Sequence, residues 1–119
     1  MRVYVASKAT HAEMWRTWRA VMAEHGITVV STWIDEDETG SMADLWTRCI
    51  DEAADADVLI AWYSPGEEWK GAFIEIGAAL AGGADVYVCG NPPGSWKNHP
   101  NVTMAENPDD ALLDAGAFW

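Results

Sequence analysis

Short apolar runs alternate along this chain with longer stretches in which apolar residues return every three or four positions. Four runs read as buried strands: Arg2–Ala6, then 27–33, which is rich in β-branched residues, then 58–61 and 86–89. The last two are short, apolar and bounded by polar or turn residues, as expected of strands covered on both faces. A fifth, weaker run at 101–104 predicts a short edge strand. Between the first two runs, residues 11–25 predict a helix. Met14, Trp18, Val21 and Met22 form its apolar stripe, while Arg16, Arg19 and Glu24 face water. Thr10 and Glu13 have the spacing of a capping box, and Gly26 ends the helix. Ser41, with Asp44 three residues on, caps a second helix running to about Ala54, with Leu45, Cys49, Ile50 and Ala53 on its buried face. Gly71–Ala81 is small or apolar almost throughout and predicts a third helix. Pro108 suits the first position of a last one, over 109–113.

The resulting order, β-α-β-α-β-α-β-β-α, predicts a three-layer α/β/α sandwich around a parallel five-stranded sheet. A flavodoxin-like strand order of 2-1-3-4-5 places the switch point between the first and third strands. That order brings segments 4–8 and 66–75 to one crevice at the carboxyl ends of the strands. No repeat or linker interrupts the pattern, so 119 residues read as one domain, 1–119.

Within the third helix one residue breaks the apolar pattern. Glu75 lies between Ile74 and Ile76, near the start of a helix that follows a strand's carboxyl end, where α/β sheets bind ligands. Shielding from water raises the pKa of such a carboxylate. The helix N-terminus opposes this by roughly 0.3–1 kcal/mol. An ionised but poorly hydrated carboxylate is a competent nucleophile. First-turn acids also serve the helix dipole alone, so position by itself leaves both roles open.

Composition narrows the partners. With 7 Lys and Arg against 19 Asp and Glu, the net charge of −12 argues against nucleic acid. A small anion remains compatible, since one lysine or one helix N-terminus can hold a phosphate. No apolar run reaches the ~18 residues of a membrane span, and the start of the chain lacks a signal-peptide pattern. Cys49 and Cys89 are far apart and form no metal-type pair, so the expectation is a reduced, cytoplasmic protein without metal or cofactor. The acidic run 34–41 lacks the alternation and glycine placement of an EF-hand loop and reads as solvated. The stretch 91–100 is a loop rich in breakers. The apolar tail 115–119 is expected to pack on its own domain or on a neighbour.

Tyr4 in the first strand, Asp57 opening the third, and Gly71-Ala-Phe-Ile-Glu-Ile-Gly-Ala-Ala-Leu-Ala-Gly82 together resemble the nucleoside 2-deoxyribosyltransferase family, which includes the related deoxynucleoside 5′-phosphate N-hydrolases. The order of elements matches over essentially the whole chain, and the signature residues are Gly71, Glu75, Ile76, Gly77 and Ala79. The resemblance implies that Glu75 is the nucleophile and that Tyr4 positions it. It also implies a homodimer or higher homo-oligomer, in which the Phe118-Trp119 tail would help complete a neighbour's pocket. The chain departs from the family at Trp69, where the transferases carry an aspartate six residues before the glutamate. Glu67 and Glu68 stand nearby. An acidic residue that contacts the nucleobase has its simplest equivalent at Cys49, with Asp44 and Asp51 as displaced candidates.

The expected chemistry is cleavage of the N-glycosidic bond of a nucleoside or nucleotide through a covalent glycosyl-Glu75 intermediate, with transfer to another base or to water. The parallel is with retaining glycosidases, in which two carboxyl groups share the work. Glu67, Glu68 or Asp35 would protonate the departing base. Trp33, Trp62 and Trp69 are candidates to stack it. Ser7, Lys8 and Lys70 would hold a 5′-phosphate, and Gly71 would lie against the substrate. His11 reads as a surface residue at a helix start. Two alternatives remain open: a non-catalytic nucleotide-binding module, and a TIR-like NAD glycohydrolase, which uses a glutamate on a similar scaffold.

Overall fold

The computed structural model describes residues 1–37 and 39–117. Its sheet has five strands, β1 (Arg2–Ala6), β2 (Thr28–Val29), β3 (Val58–Trp62), β4 (Asp85–Cys89) and β5 (Val102–Ala105), all parallel and ordered β2-β1-β3-β4-β5. Four helices connect and cover it: α1 (Ala12–Glu24), α2 (Met42–Asp55), α3 (Gly71–Ala81) and α4 (Pro108–Asp114). The predicted sandwich and strand order are those observed. Alternation along β1 and β3 divides the core in two, because successive side chains point to opposite faces. Tyr4, Ala6, Leu59 and Ala61 pack with Ala53 of α2 and Ala72, Ile76 and Ala79 of α3. Val3, Val5, Val58 and Ile60 pack with Trp15 and Met22 of α1 and Ala111 and Leu112 of α4.

The strand expected over 27–33 contracts to Thr28–Val29 and gives way to a 3₁₀ turn at Thr32–Asp35. The cause is a change of hydrogen-bond partner. The buried Ser31 hydroxyl accepts the Val5 amide at 2.7 Å, and Trp33 Nε1 donates to the Val5 carbonyl at 2.8 Å. Two side chains thus satisfy the backbone groups that a longer β2 would have paired.

At α1 the Thr10–Glu13 capping box does not form. A 3₁₀ turn at Ala9–His11 leads into the helix, with no side-chain cap. The stripe also falls in a different phase. Trp15 and Met22 are buried, two turns apart, while Met14 and Val21 are exposed. The Ser41 cap expected for α2 is present, accepting the Asp44 amide at 3.0 Å, and Asn107, ahead of Pro108, caps α4 by accepting the Asp110 amide at 2.9 Å. On α2, Cys49 and Ala53 are buried and Ile50 is exposed. The acidic run is partly paired rather than free in water, since Glu36 binds Arg48 and Asp35 binds Arg19, each at 2.7 Å. Gly82 lets α3 close on α2, because a Cβ there would stand 2.1 Å from the Ala54 carbonyl oxygen. Among the described residues no helix is long and apolar enough to cross a membrane. The Phe118-Trp119 tail lies outside the described residues.

Candidate active site

The β1 and β3 strands carry their chains to a common edge, and the loops after them open onto a cleft of about 370 Å³. That volume falls within the roughly 300–1,000 Å³ of small-molecule sites. The loop after β1 contributes Ser7 and Lys8, and the loop before α3 contributes Glu68, Trp69 and Lys70. Met42, Leu45, Trp46 and Cys49 of α2 form the facing wall, and Glu75 lies at the floor.

Glu75 is only 8% exposed. Burial pushes its pKa up to about 7, helped by the negative charge of Glu52 and opposed by the nearby Tyr4 hydroxyl and Cys49 thiol. Near neutral pH this carboxyl is therefore divided between its two protonation states. Tyr4 is wholly buried. Desolvation, then the nearby Glu75, raises its pKa far above the ordinary phenol range, which keeps the hydroxyl a neutral donor. That hydroxyl makes no hydrogen bond of good geometry with a described residue, although Glu75 and Cys49 lie close enough to perturb it.

The two candidate acids of the loop before α3 separate. Glu68 is exposed and lines the cleft. Glu67 turns away from it, taking the Ser64 amide at 2.7 Å and His11 Nε2 at 2.7 Å. Burial raises the Glu67 pKa, but the Ser64 amide and His11 outweigh it and the net shift is downward. Glu67 thus fastens the loop to the start of α1, and His11 is its partner rather than a free surface residue. Asp35 does not reach the cleft either, because Arg19 holds both of its oxygens, at 2.7 and 3.0 Å.

The tryptophans also divide. Trp33 lines the cleft, fixed by its bond to Val5. Trp62 packs on the opposite face of the sheet and donates to the Ser64 hydroxyl at 3.1 Å, so it is not a wall of the site. Trp69 reaches the cleft from an aromatic cluster, edge-on to Tyr63 at 5.2 Å and to Phe73 at 5.5 Å. Its indole Nε1 is buried without a hydrogen-bond partner among the described residues. Ser7 lines the cleft with its hydroxyl already engaged, accepting from Trp15 Nε1 at 2.8 Å and donating to the Lys8 carbonyl at 2.9 Å. Lys8 and Lys70 are exposed on the rim and form no ion pair with a described residue.

Sequence reasoning passed over Trp46 and Met42, and it read Leu45 only as core. Positions 42, 45, 46 and 49 do share one helical face, and that spacing was the available signal. Gly71 is explained by the same wall: a Cβ there would meet Trp46 Cη2 at 2.9 Å, so the glycine lets the indole lie against the start of α3. Asp44 and Asp51 do not line the cleft.

No family model matches the chain, and neither does the sequence of any curated protein. Among solved structures it is similar to the CMP N-glycosidase BcmB of Clostridium botulinum, with a TM-score of 0.65 and 20% identity over 98% of each chain. It is also similar to a 2-deoxyribosyltransferase from Leishmania mexicana, with a TM-score of 0.62 and 20% identity over 88% of this chain and 74% of that one. The fold of this protein is therefore the one these two proteins share, and it agrees with the resemblance carried by Gly71, Glu75, Ile76, Gly77 and Ala79.

Proposed function

We propose that the protein hydrolyses the N-glycosidic bond of a nucleoside 5′-monophosphate through a covalent intermediate on Glu75. One observation carries the reading: a buried carboxyl, poised to ionise near neutrality, lines a cleft whose rim bears two lysines without ion-pair partners among the described residues. The likeness of fold to an N-glycosidase over nearly the full length of both chains supports it.

In the first step a Glu75 oxygen attacks C1′, a C1′–O bond forms, and the C1′–N bond breaks with its electron pair leaving on the base. Glu68, the acid of the loop that lines the cleft, delivers a proton to that nitrogen. In the second step water attacks C1′, the ester bond to Glu75 breaks, and the carboxylate is restored. This is the retaining pattern, in which the second carboxyl changes from acid to base. Lys8 and Lys70 attract the phosphate as point charges. Trp33, Trp46 and Trp69 offer flat walls for the base, and aromatic walls tolerate any base because every base has a π-face.

The test is incubation with nucleosides and their 5′-monophosphates, with and without an acceptor base, followed by chromatography for free base. Free base from a monophosphate is expected, together with a glycosyl mass adduct on Glu75 when turnover is slowed with a 2′-fluoro analogue. Unchanged turnover in a folded Glu75→Gln variant would sink the mechanism.

A second reading, binding without turnover, is favoured by Trp69, which fills the position of the family's aspartate with a buried indole. It predicts a calorimetric binding signal with no product.

A further inference from the structure

Three polar groups from three different elements lie close enough to perturb one another: the Tyr4 hydroxyl from β1, the Cys49 thiol from α2 and the Glu75 carboxyl from α3. All three side chains are buried, and Cys49 and Glu75 line the same cavity. The apolar side chains of Ala6, Ala53, Ala72 and Ile76 share a core cluster with Tyr4 on this face of the sheet, and its buried hydroxyl has no hydrogen-bond partner among the described residues.

Counting protons shows which state satisfies them. Tyr4 and Cys49 each have one proton to donate, and an ionised carboxylate only accepts, through two oxygens. When Glu75 is ionised, both donors have an oxygen to address. When Glu75 carries its own proton, three donors face one another with one good acceptor fewer, and a buried polar group left unpaired is costly. An acid at position 49 would instead set a second negative charge against Glu75. A thiol adds a donor and no charge.

We propose that Cys49 is a positioning residue for Glu75: its thiol and the Tyr4 hydroxyl donate to the two oxygens of the ionised carboxylate and hold it aimed into the cleft. The proposal rests on the reading of Glu75 as the nucleophile. Other charged groups surround the trio. Glu52, also on α2, opposes ionisation of Glu75. Arg48, beside Cys49, is taken up by Glu36 at 2.7 Å and the Thr32 hydroxyl at 2.8 Å. Lys8, Glu68 and Lys70 line the same cleft. Of these groups, the Cys49 thiol and the Tyr4 hydroxyl are the donors near enough to Glu75 to lower its pKa.

The experiment follows the Glu75 carboxyl directly, by carbon-13 NMR titration of the full chain, in the wild type, Cys49→Val and Cys49→Ser. Valine nearly matches the volume without a donor, and serine restores one. The midpoint is expected to rise by about one pH unit in Cys49→Val and to return to the wild-type value or below in Cys49→Ser. The acid limb of the rate profile should move with it, with kcat falling and KM steady. Equal midpoints in all three proteins overturn the proposal, whatever their activity. Shifted midpoints in a protein that releases no base from any substrate leave the clamp standing and remove the glycosidase reading instead. If Cys49→Val does not fold, Cys49→Ala makes the same comparison.

Discussion

Replacing Glu75 with glutamine preserves the side chain's shape and removes its charge, so it isolates what the buried carboxylate costs the fold. Burial holds the folded-state pKa near 7, against 4.5 for the free group. A carboxyl whose pKa is raised by folding stabilises the native state fully below its unfolded pKa. That contribution is lost as pH rises through the folded value. Between 4.5 and about 7 the difference amounts to about 3 kcal/mol, complete by pH 8. Wild type and Glu75→Gln are therefore expected to unfold in urea with nearly the same free energy at pH 4. At pH 8 the variant should be more stable by about 3 kcal/mol. Comparing two proteins that differ at one group cancels the titration of the others. The same variant should release no free base, so stability gained and activity lost would trace to one side chain. A variant no more stable than wild type at pH 8, or one that gains equally at pH 4, would show that desolvation is not what burdens Glu75.

The rate should follow the same group: kcat/KM is expected to climb with pH through about 7, as Glu75 ionises, and a flat profile from pH 5 to 8 would count against it as nucleophile. Lys8→Ala and Lys70→Ala should each raise KM for a nucleoside 5′-monophosphate by about tenfold and leave the nucleoside unaffected, as steady-state kinetics on both would show. Asp35→Asn should leave base release unchanged, because Arg19 holds Asp35 away from the cleft; a large loss of kcat would reverse that placement. Gly82→Ala should cost about 2–3 kcal/mol in urea unfolding, since the new methyl meets the Ala54 carbonyl across the α2–α3 contact.

Where a segment's character depends on its own neighbours, the sequence was a sufficient guide. The apolar runs of β1, β3 and β4 need no outside partner to be recognised, and their buried, crossover-linked pattern implies parallel pairing and the observed strand order. Ser41 caps α2 through a bond three residues long, so it too was legible, whereas the equally local Thr10–Glu13 pair does not form. Reading failed where a distant partner decided the outcome. β2 ends early because Ser31 and Trp33 reach Val5, 26 and 28 residues away. Glu67 and Glu68 are adjacent in sequence yet face different ways, because His11, 56 residues from Glu67, claims one of them.

The sequence by itself determined the alternation of elements, the sandwich, and the placing of one carboxylate at the head of a helix behind a strand. Periodicity and capping act over a few residues and are written locally. Only the tertiary structure decided that Glu75 shares its pocket with Cys49 and Trp46, and that Asp35 and Trp62 belong elsewhere. Burial, and the pKa it produces, is a property of what other segments bring alongside a group, and that depends on contacts formed only when the chain closes on itself.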